Sequence, residues 1–448
     1  MEYGYHAFML VAASFVVLMT APGLALFYGG MSRSKSVLNM MMMSFGTMGI
    51  AGIVYVLWGW SMSFGTQDVA TLFSNPFELF GLSGVEGQGY ISVGFQLTFA
   101  VITAALISGA VADRLKFSAW LLFVPLWLTL SYFPLAHMVW GGGFLGTAEN
   151  GIAGLLFDGG TLPIDYAGGT VVHINAGVAG LVLAVMLGRR LGFGKEPMRP
   201  HNLTLTMLGA GLLWMGWYGF NVGSIVFGGE SAESDAAQFL SETSLVWLNT
   251  TVATCAAILG WLLIEKVRDG KATSLGAASG VVAGLVAITP ACGAVSPVGA
   301  IALGLVAGGC CALAVGLKYR FGYDDSLDVV GVHLVGGLVG TIGVGFLSTA
   351  TGLFYGAGAS QLVLQVLVAL VAILWAAAAT FVVASIVKLV IGLRLPEEDE
   401  IEGIDLVEHG ESAYDLSPAG GSRRAGSPLA PSTGVLDAPA ADKEGANA

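Results

Sequence analysis

The segments DYAGGTVVHINAGVAG (residues 165–180) and DVVGVHLVGGLVG (residues 328–340) decide how this chain folds. Each sets one histidine, His173 or His333, inside an apolar run, with an acid before it, Asp165 or Asp328. Glycines follow four and seven positions on, at Gly177 and Gly180 in one string and at Gly337 and Gly340 in the other. An ionisable ring in such a run is costly in a bilayer unless it faces a cavity or the interior of a helix bundle. Two short Gly-rich strings can match by chance. An intramembrane histidine in both favours an internal repeat.

A bilayer core needs about 20 apolar residues per helix, and runs of that length recur over the first 394 positions. Eleven spans are predicted, at 6–30, 37–65, 90–112, 118–138, 166–188, 202–227, 243–265, 274–293, 298–317, 329–349 and 361–392. Charge tests the count, because cytoplasmic loops collect Lys and Arg. Arg33 and Lys35 follow span 1, Arg114 and Lys116 span 3, and Arg189, Arg190, Lys195 and Arg199 span 5. Lys266, Arg268 and Lys271 follow span 7, and Lys318 and Arg320 span 9. Lys388, Arg394, Arg423, Arg424 and Lys443 sit at or beyond the end of span 11, which accounts for all 18 basic residues. Loops after even-numbered spans hold acids instead: Asp68, Glu78, Glu86, Glu149, Asp158, Glu230, Glu233 and Asp235. One span more or fewer would scramble this alternation.

The predicted fold is therefore an all-α integral membrane protein of eleven transmembrane helices, with the amino terminus outside and the carboxyl terminus in the cytoplasm. The two histidine strings lie five spans apart, an odd number, so they cross in opposite directions. That is the pattern of an inverted repeat, spans 1–5 against 6–10, with the functional path at the repeat interface.

Composition excludes the main rivals. Hydrophobic residues make up 55% of the 448 and charged ones 11%, against roughly 25% charged in a soluble domain. The 66 glycines carry no Gly-X-Y period, which removes collagen and suits close-packed membrane helices. A net charge of −12 with 18 Lys+Arg leaves no basic face for nucleic acid. Cys255, Cys292, Cys310 and Cys311 all lie in apolar segments without metal-ligand spacing and read as small buried hydrophobes. No cofactor is implied. The first apolar run carries Glu2 and no base before it, and continues to Leu26 and Phe27, so it reads as a retained span rather than a signal peptide. After Pro396 comes the acidic stretch EEDEIEGIDLVEHGE (397–411), which either docks on basic cytoplasmic loops or stays solvated. From about Ser417 the chain is Ala, Gly, Pro and Ser with few apolar groups, and disorder is expected there.

The residues then suggest chemistry. His173 and His333 either pack as two buried imidazoles or share a path, where a neutral pair donates one hydrogen bond and accepts another or relays a proton. Haem ligation is a third use, testable by colour. Phe95, Phe99, Trp140 and Phe220 lie toward the outer ends of spans, with Ser224 one helical turn beyond Phe220. Interfacial aromatics explain any one of these rings. As a cluster, ring faces and a hydroxyl replace water around a small monovalent cation, worth up to about 2 kcal/mol per ring. Asp165 either lowers the cost of that cation or caps the helix that follows. A general cation channel would carry acidic rings along its pore, and the spans lack them.

Several strings together resemble the ammonium transporters of the Amt/Mep/Rh family, bacterial Amt branch, from Pro22 to Tyr414. They are PGLALFYGG (22–30), AHMVWGGG (136–143), DYAGGTVVHINAG (165–177), GFGKEPMRPHN (192–202), GWYGFNVGS (216–224), TPACG (289–293), DVVGVH (328–333) and GLRLPEEDEIEGID (392–405). The resemblance implies a homotrimer in the cell membrane, not an enzyme, each subunit with its own narrow pore for ammonium or ammonia. Phe95, Trp140 and Ser224 then match the outer ammonium recruitment site, Phe99 and Phe220 the stacked rings closing the pore, and His173 and His333 the twin histidines lining it. Asp165 matches the aspartate that supports recruitment. The resemblance also implies a PII-type signal-transduction partner at the cytoplasmic face. It divides the chain into a transporter domain (1–394), an acidic cytoplasmic regulatory segment (395–414) and a tail (415–448). An ammonium sensor of the same fold is the alternative. The acidic loop at 228–242 and the extension after Tyr414 depart from the family pattern.

Overall fold

The computed structural model describes residues 2–229 and 231–414. The Ala/Pro/Gly/Ser-rich tail at 415–448 lies outside the described residues. Among the described residues, nine helices are long and apolar enough to cross a bilayer. They are α1 (Tyr3–Met31), α2 (Val37–Phe64), α3 (Gly89–Val111), α4 (Phe117–Trp140), α5 (Gly169–Leu187), α7 (Ala232–Asp269), α9 (Pro297–Phe321), α10 (Val330–Leu347) and α11 (Ser360–Val390). Between them run α6 (Leu203–Val222) and the shorter apolar α8 (Ser274–Ile288). A two-stranded hairpin, Asp68–Val69 with Phe73–Ser74, lies in the α2–α3 connection.

Start signals are local. Asn202 accepts a hydrogen bond from the Leu205 N–H before α6, Ser231 from Ser234 before α7, Thr273 from Gly276 before α8 and Ser296 from Gly299 before α9. Each satisfies one of the donors a helix start leaves open. Wider π-helical turns interrupt α1 at Met19–Leu24, around Pro22, and α4 at Leu128–Tyr132, just past Pro125. Proline removes a ladder donor, and a wider turn absorbs the mismatch. The same device opens α5 at Gly169–Ile174 and α10 at Val330–Leu334, and each of those turns contains its histidine.

Burial sorts the helices into centre and rim. The apolar windows of α5 and α3 are 78% and 72% buried, whereas those of α11 and α2 are 33% and 39%. The centre is packed through small residues, as membrane helices require. A Cβ on Gly177 of α5 would lie 2.5 Å from the Leu334 nitrogen, and one on Gly337 of α10 would lie 3.1 Å from the His173 Cβ. The two histidine helices thus cross where neither can carry a side chain. On the rim, Gly304 and Gly308 of α9 meet Ala253 and Ala257 of α7 in the same way.

Two details of the sequence reading change. Cys255 is exposed and Cys310 half-buried, because an apolar helix face in a membrane protein need not be an interior face; Cys292 and Cys311 are buried. The acid that repeats the role of Asp165 is Asp325, not Asp328, for the reason given below.

Basic residues gather at one end of the bundle, where Arg190 bridges Asp324 (2.8 Å) and Asp113 (3.1 Å) and Arg33 also reaches Asp113 (2.9 Å). The acidic stretch packs at this end as two short helices, Glu397–Glu402 and Ile404–His409. Glu400 pairs with Arg394 (2.8 Å) and accepts the Leu191 N–H (2.7 Å), and Lys35 donates to the Glu400 and Ile401 carbonyls. The Asp405 carboxylate accepts the Leu38 and Asn39 N–H groups and so caps α2.

Candidate functional site

Away from the basic end, α3 and α6 bring Phe99 and Phe220 face to face, centroids 4.0 Å apart and planes within 10°. Both rings are fully buried. Phe95, one turn before Phe99, tilts against it at 4.9 Å, and Trp140 meets it edge-on at 5.9 Å. Phe95 and Ser224 line one cavity of about 260 Å³ with Tyr5, Ser92 and Gln96. The Ser224 hydroxyl donates to the Phe220 carbonyl (2.9 Å), leaving its oxygen lone pairs toward other partners. Trp140 joins this group through Phe99 rather than as lining of that cavity.

Beneath the stacked pair, His173 lies 6.3 Å from Phe220 and stacks at 5.4 Å on Trp217, planes within 15°. His333 stacks next at 5.4 Å, and the two Nδ1 atoms are 3.3 Å apart. Both rings are buried. In neutral form one Nδ1 must donate and the other accept. The donor ring then has a bare Nε2 and the acceptor ring an Nε2–H, so the pair offers one acceptor and one donor. His173 Nε2 has no partner among the described residues.

Asp165 holds this column at the end away from the basic residues. Its Oδ1 accepts the Gly168 and Gly169 N–H groups, and its Oδ2 the Thr170 N–H and hydroxyl and the Val171 N–H. The carboxylate is consumed by the start of α5. Its contact with the aromatic group is through the backbone, since the Asp165 carbonyl accepts the Trp140 indole N–H at 2.8 Å. Of the two roles open from sequence, capping is the one the geometry displays.

The same pattern recurs at the basic end of α10. Asp325 Oδ1 accepts the Val329 N–H (3.0 Å) and Oδ2 the Val330 N–H (2.7 Å). Asp325 precedes His333 by the eight positions that separate Asp165 from His173. Asp328, directly before the helix, has φ +66° and gives its carboxylate to Lys318 instead.

Sequence reasoning missed three supporting residues. Trp217 stacks on His173 and donates its indole N–H to the Thr289 hydroxyl at 2.8 Å. Gln365 of α11 clamps Ile164, accepting its N–H (2.9 Å) and donating to its carbonyl (2.8 Å), one residue before Asp165. Thr170 ties its hydroxyl to Asp165. Trp217 sits inside a motif string and was open to notice; a glutamine 201 positions from its partner was not. Among the described residues no group of three or more His, Cys, Asp or Glu could hold a metal ion.

A bundle of apolar helices around a buried column of aromatic and imidazole rings is that of a multi-pass membrane transporter. The chain matches the model of the Ammonium Transporter Family over residues 7–414 and belongs to that family. It is 51% identical to the "Ammonium transporter" of Mycobacterium tuberculosis (strain ATCC 25618 / H37Rv), covering 94% of this chain and 92% of that one. With the "Ammonium transporter" of Bacillus subtilis (strain 168) the identity is 44%, over 92% and 99% of the two chains. Among solved structures, a "Sensor Amt Protein" superposes with TM-score 0.80 at 28% identity, covering 91% of this chain and all of that one. Saccharomyces cerevisiae Mep2 superposes with TM-score 0.74 at 29% identity, covering 88% and 90%.

Proposed function

We propose that this ammonium transporter captures the cation at its outer mouth, releases its proton either back to the outer solution or along the two histidines, and passes ammonia between those histidines. Support comes above all from the His173–His333 pair, stacked directly under the Phe99–Phe220 closure. Capture falls to Phe95, Trp140 and Ser224, whose ring faces and hydroxyl replace lost water. A bare charge in the apolar interior costs too much to pass. Uncharged ammonia both donates and accepts hydrogen bonds, which matches the donor and acceptor that the neutral imidazole pair offers. Potassium has no proton to surrender and stops at the closure.

The reading includes eleven spans in an inverted repeat of α1–α5 and α6–α10, with the basic end and the 395–414 segment in the cytoplasm and the domain of residues 1–394 in the cell membrane. The distribution of Lys and Arg supports the orientation. It also includes a homotrimer, checked by light scattering in detergent, and regulation by a PII-type partner through the segment that caps α2, checked by loss of binding after Asp405→Ala.

The test is current and uptake in liposomes, with ammonium and then potassium. His173→Leu is expected to abolish ammonium uptake or change its selectivity, at least tenfold, while the protein still folds. Uptake and selectivity unchanged in that variant would remove the histidine path. A sensor reading is favoured by the solved neighbour of that title; it predicts ammonium-dependent partner binding in a variant that conducts nothing.

A further inference from the structure

Asp165 and Asp325 hold more than their own helices. Each also offers its backbone carbonyl to a side chain at the end of the preceding long helix. The Asp165 carbonyl takes the indole N–H of Trp140, the last residue of α4, at 2.8 Å. The Asp325 carbonyl takes the ammonium of Lys318, in the last turn of α9, at 2.9 Å. Helices α4 and α9 are five apart, as are α5 and α10. Under the repeat, Lys318 therefore stands where Trp140 stands at the other mouth.

The surroundings of Lys318 are those of a bound ammonium ion. Its Nζ lies 2.9 Å from the Asp325 carbonyl, 2.7 Å from Asp328 Oδ1 and 5.6 Å from the Tyr319 ring centroid. A carbonyl, a carboxylate and an aromatic face are the chemistry that recognises a primary ammonium. Lys318 is 7% exposed, and with Asp328, Tyr319 and Arg268 it lines a cavity of about 410 Å³ at the basic end. The Asp328 side chain is 22% exposed, so the cage is reachable from solution.

We infer that Lys318 is a tethered ammonium that fills the inner counterpart of the outer capture site, so that the inner mouth releases ammonium without recapturing it. The inference rests on the ammonium reading above. A passive pathway has the same ratio of maximal rate to half-saturation on both faces when no driving force acts. The protein is free only to choose the concentration at which each face saturates. A neutral indole outside and a fixed cation inside make the outer face saturate early and the inner face late.

The experiment uses the full chain in liposomes of one orientation, with methylammonium flux measured from each face. Lys318→Met, and Lys318→Gln, which keeps a donor for the Asp325 carbonyl, are expected to lower the inner half-saturation by about fivefold or more. The outer value stays put, and Lys318→Arg behaves as wild type. An inner half-saturation unchanged in either folded variant, or both faces shifting together as a helix staple would make them, overturns the inference. Absence of flux in the wild type would instead defeat the transporter reading.

Discussion

Asp165 shows how a single residue carries two tasks, one through its side chain and one through its backbone. Four backbone N–H groups and one hydroxyl converge on its carboxylate at the opening of α5, while its carbonyl fixes Trp140. Each buried donor left without an acceptor costs about 1–3 kcal/mol. Asp165→Ala is therefore expected to lower stability by about 2 kcal/mol or more, with Asp165→Asn between it and the wild type, in thermal unfolding of detergent-solubilised protein. The backbone carbonyl that anchors Trp140 is kept in both variants, and the ammonium half-saturation should rise only as far as the uncapped helix start displaces it. The histidines and this aspartate were legible from sequence because ionisable groups in apolar runs stand out. Asp325 was not singled out, since three aspartates crowd residues 324–328 and only the helix start decides which one caps it.

At the scale of elements, the crossing of α5 and α10 is set by absence of side chains. Gly177 and Gly337 let each helix approach the other's histidine turn. Gly177→Ala places a methyl 2.5 Å from the Leu334 nitrogen, and overpacking of this kind costs about 1–3 kcal/mol, occasionally more. The expected result is a destabilised protein with ammonium flux strongly reduced. Gly211→Ala, on α6 with nothing within 4 Å of the added carbon, is the control, expected to be neutral or slightly stabilised. The spacing of these glycines was visible in the two strings, but their meaning as a contact required both helices in place. The same holds for Gln365, which reads as one polar residue in an apolar span until it is seen gripping Ile164.

For the molecule as a whole, the basic end is joined by charge pairs between segments remote in sequence. Burial pushes the Asp113 and Asp324 carboxyls up, but Arg190, with Arg33 beside Asp113, outweighs it and holds both below the usual carboxylate range. Because the folded values lie below the unfolded ones, this stability is complete above about pH 4 and is lost as pH falls through the depressed values. The contribution of these pairs to the unfolding temperature should then be constant between pH 5 and 8 and fall in stronger acid. Arg190→Gln leaves two buried carboxylates short of a partner and should cost about 3–5 kcal/mol at neutral pH. The sequence by itself determined the membrane class, the alternation of charge and the family, because bilayer thickness and the cost of burying charge act on composition along the chain. Only the tertiary structure decided which aspartate caps α10, that Trp140 and Lys318 each seat on the backbone carbonyl of a capping aspartate, and where the acidic segment packs. Those depend on hydrogen bonds a few ångströms long between groups that lie up to hundreds of residues apart, and no local pattern records such distances.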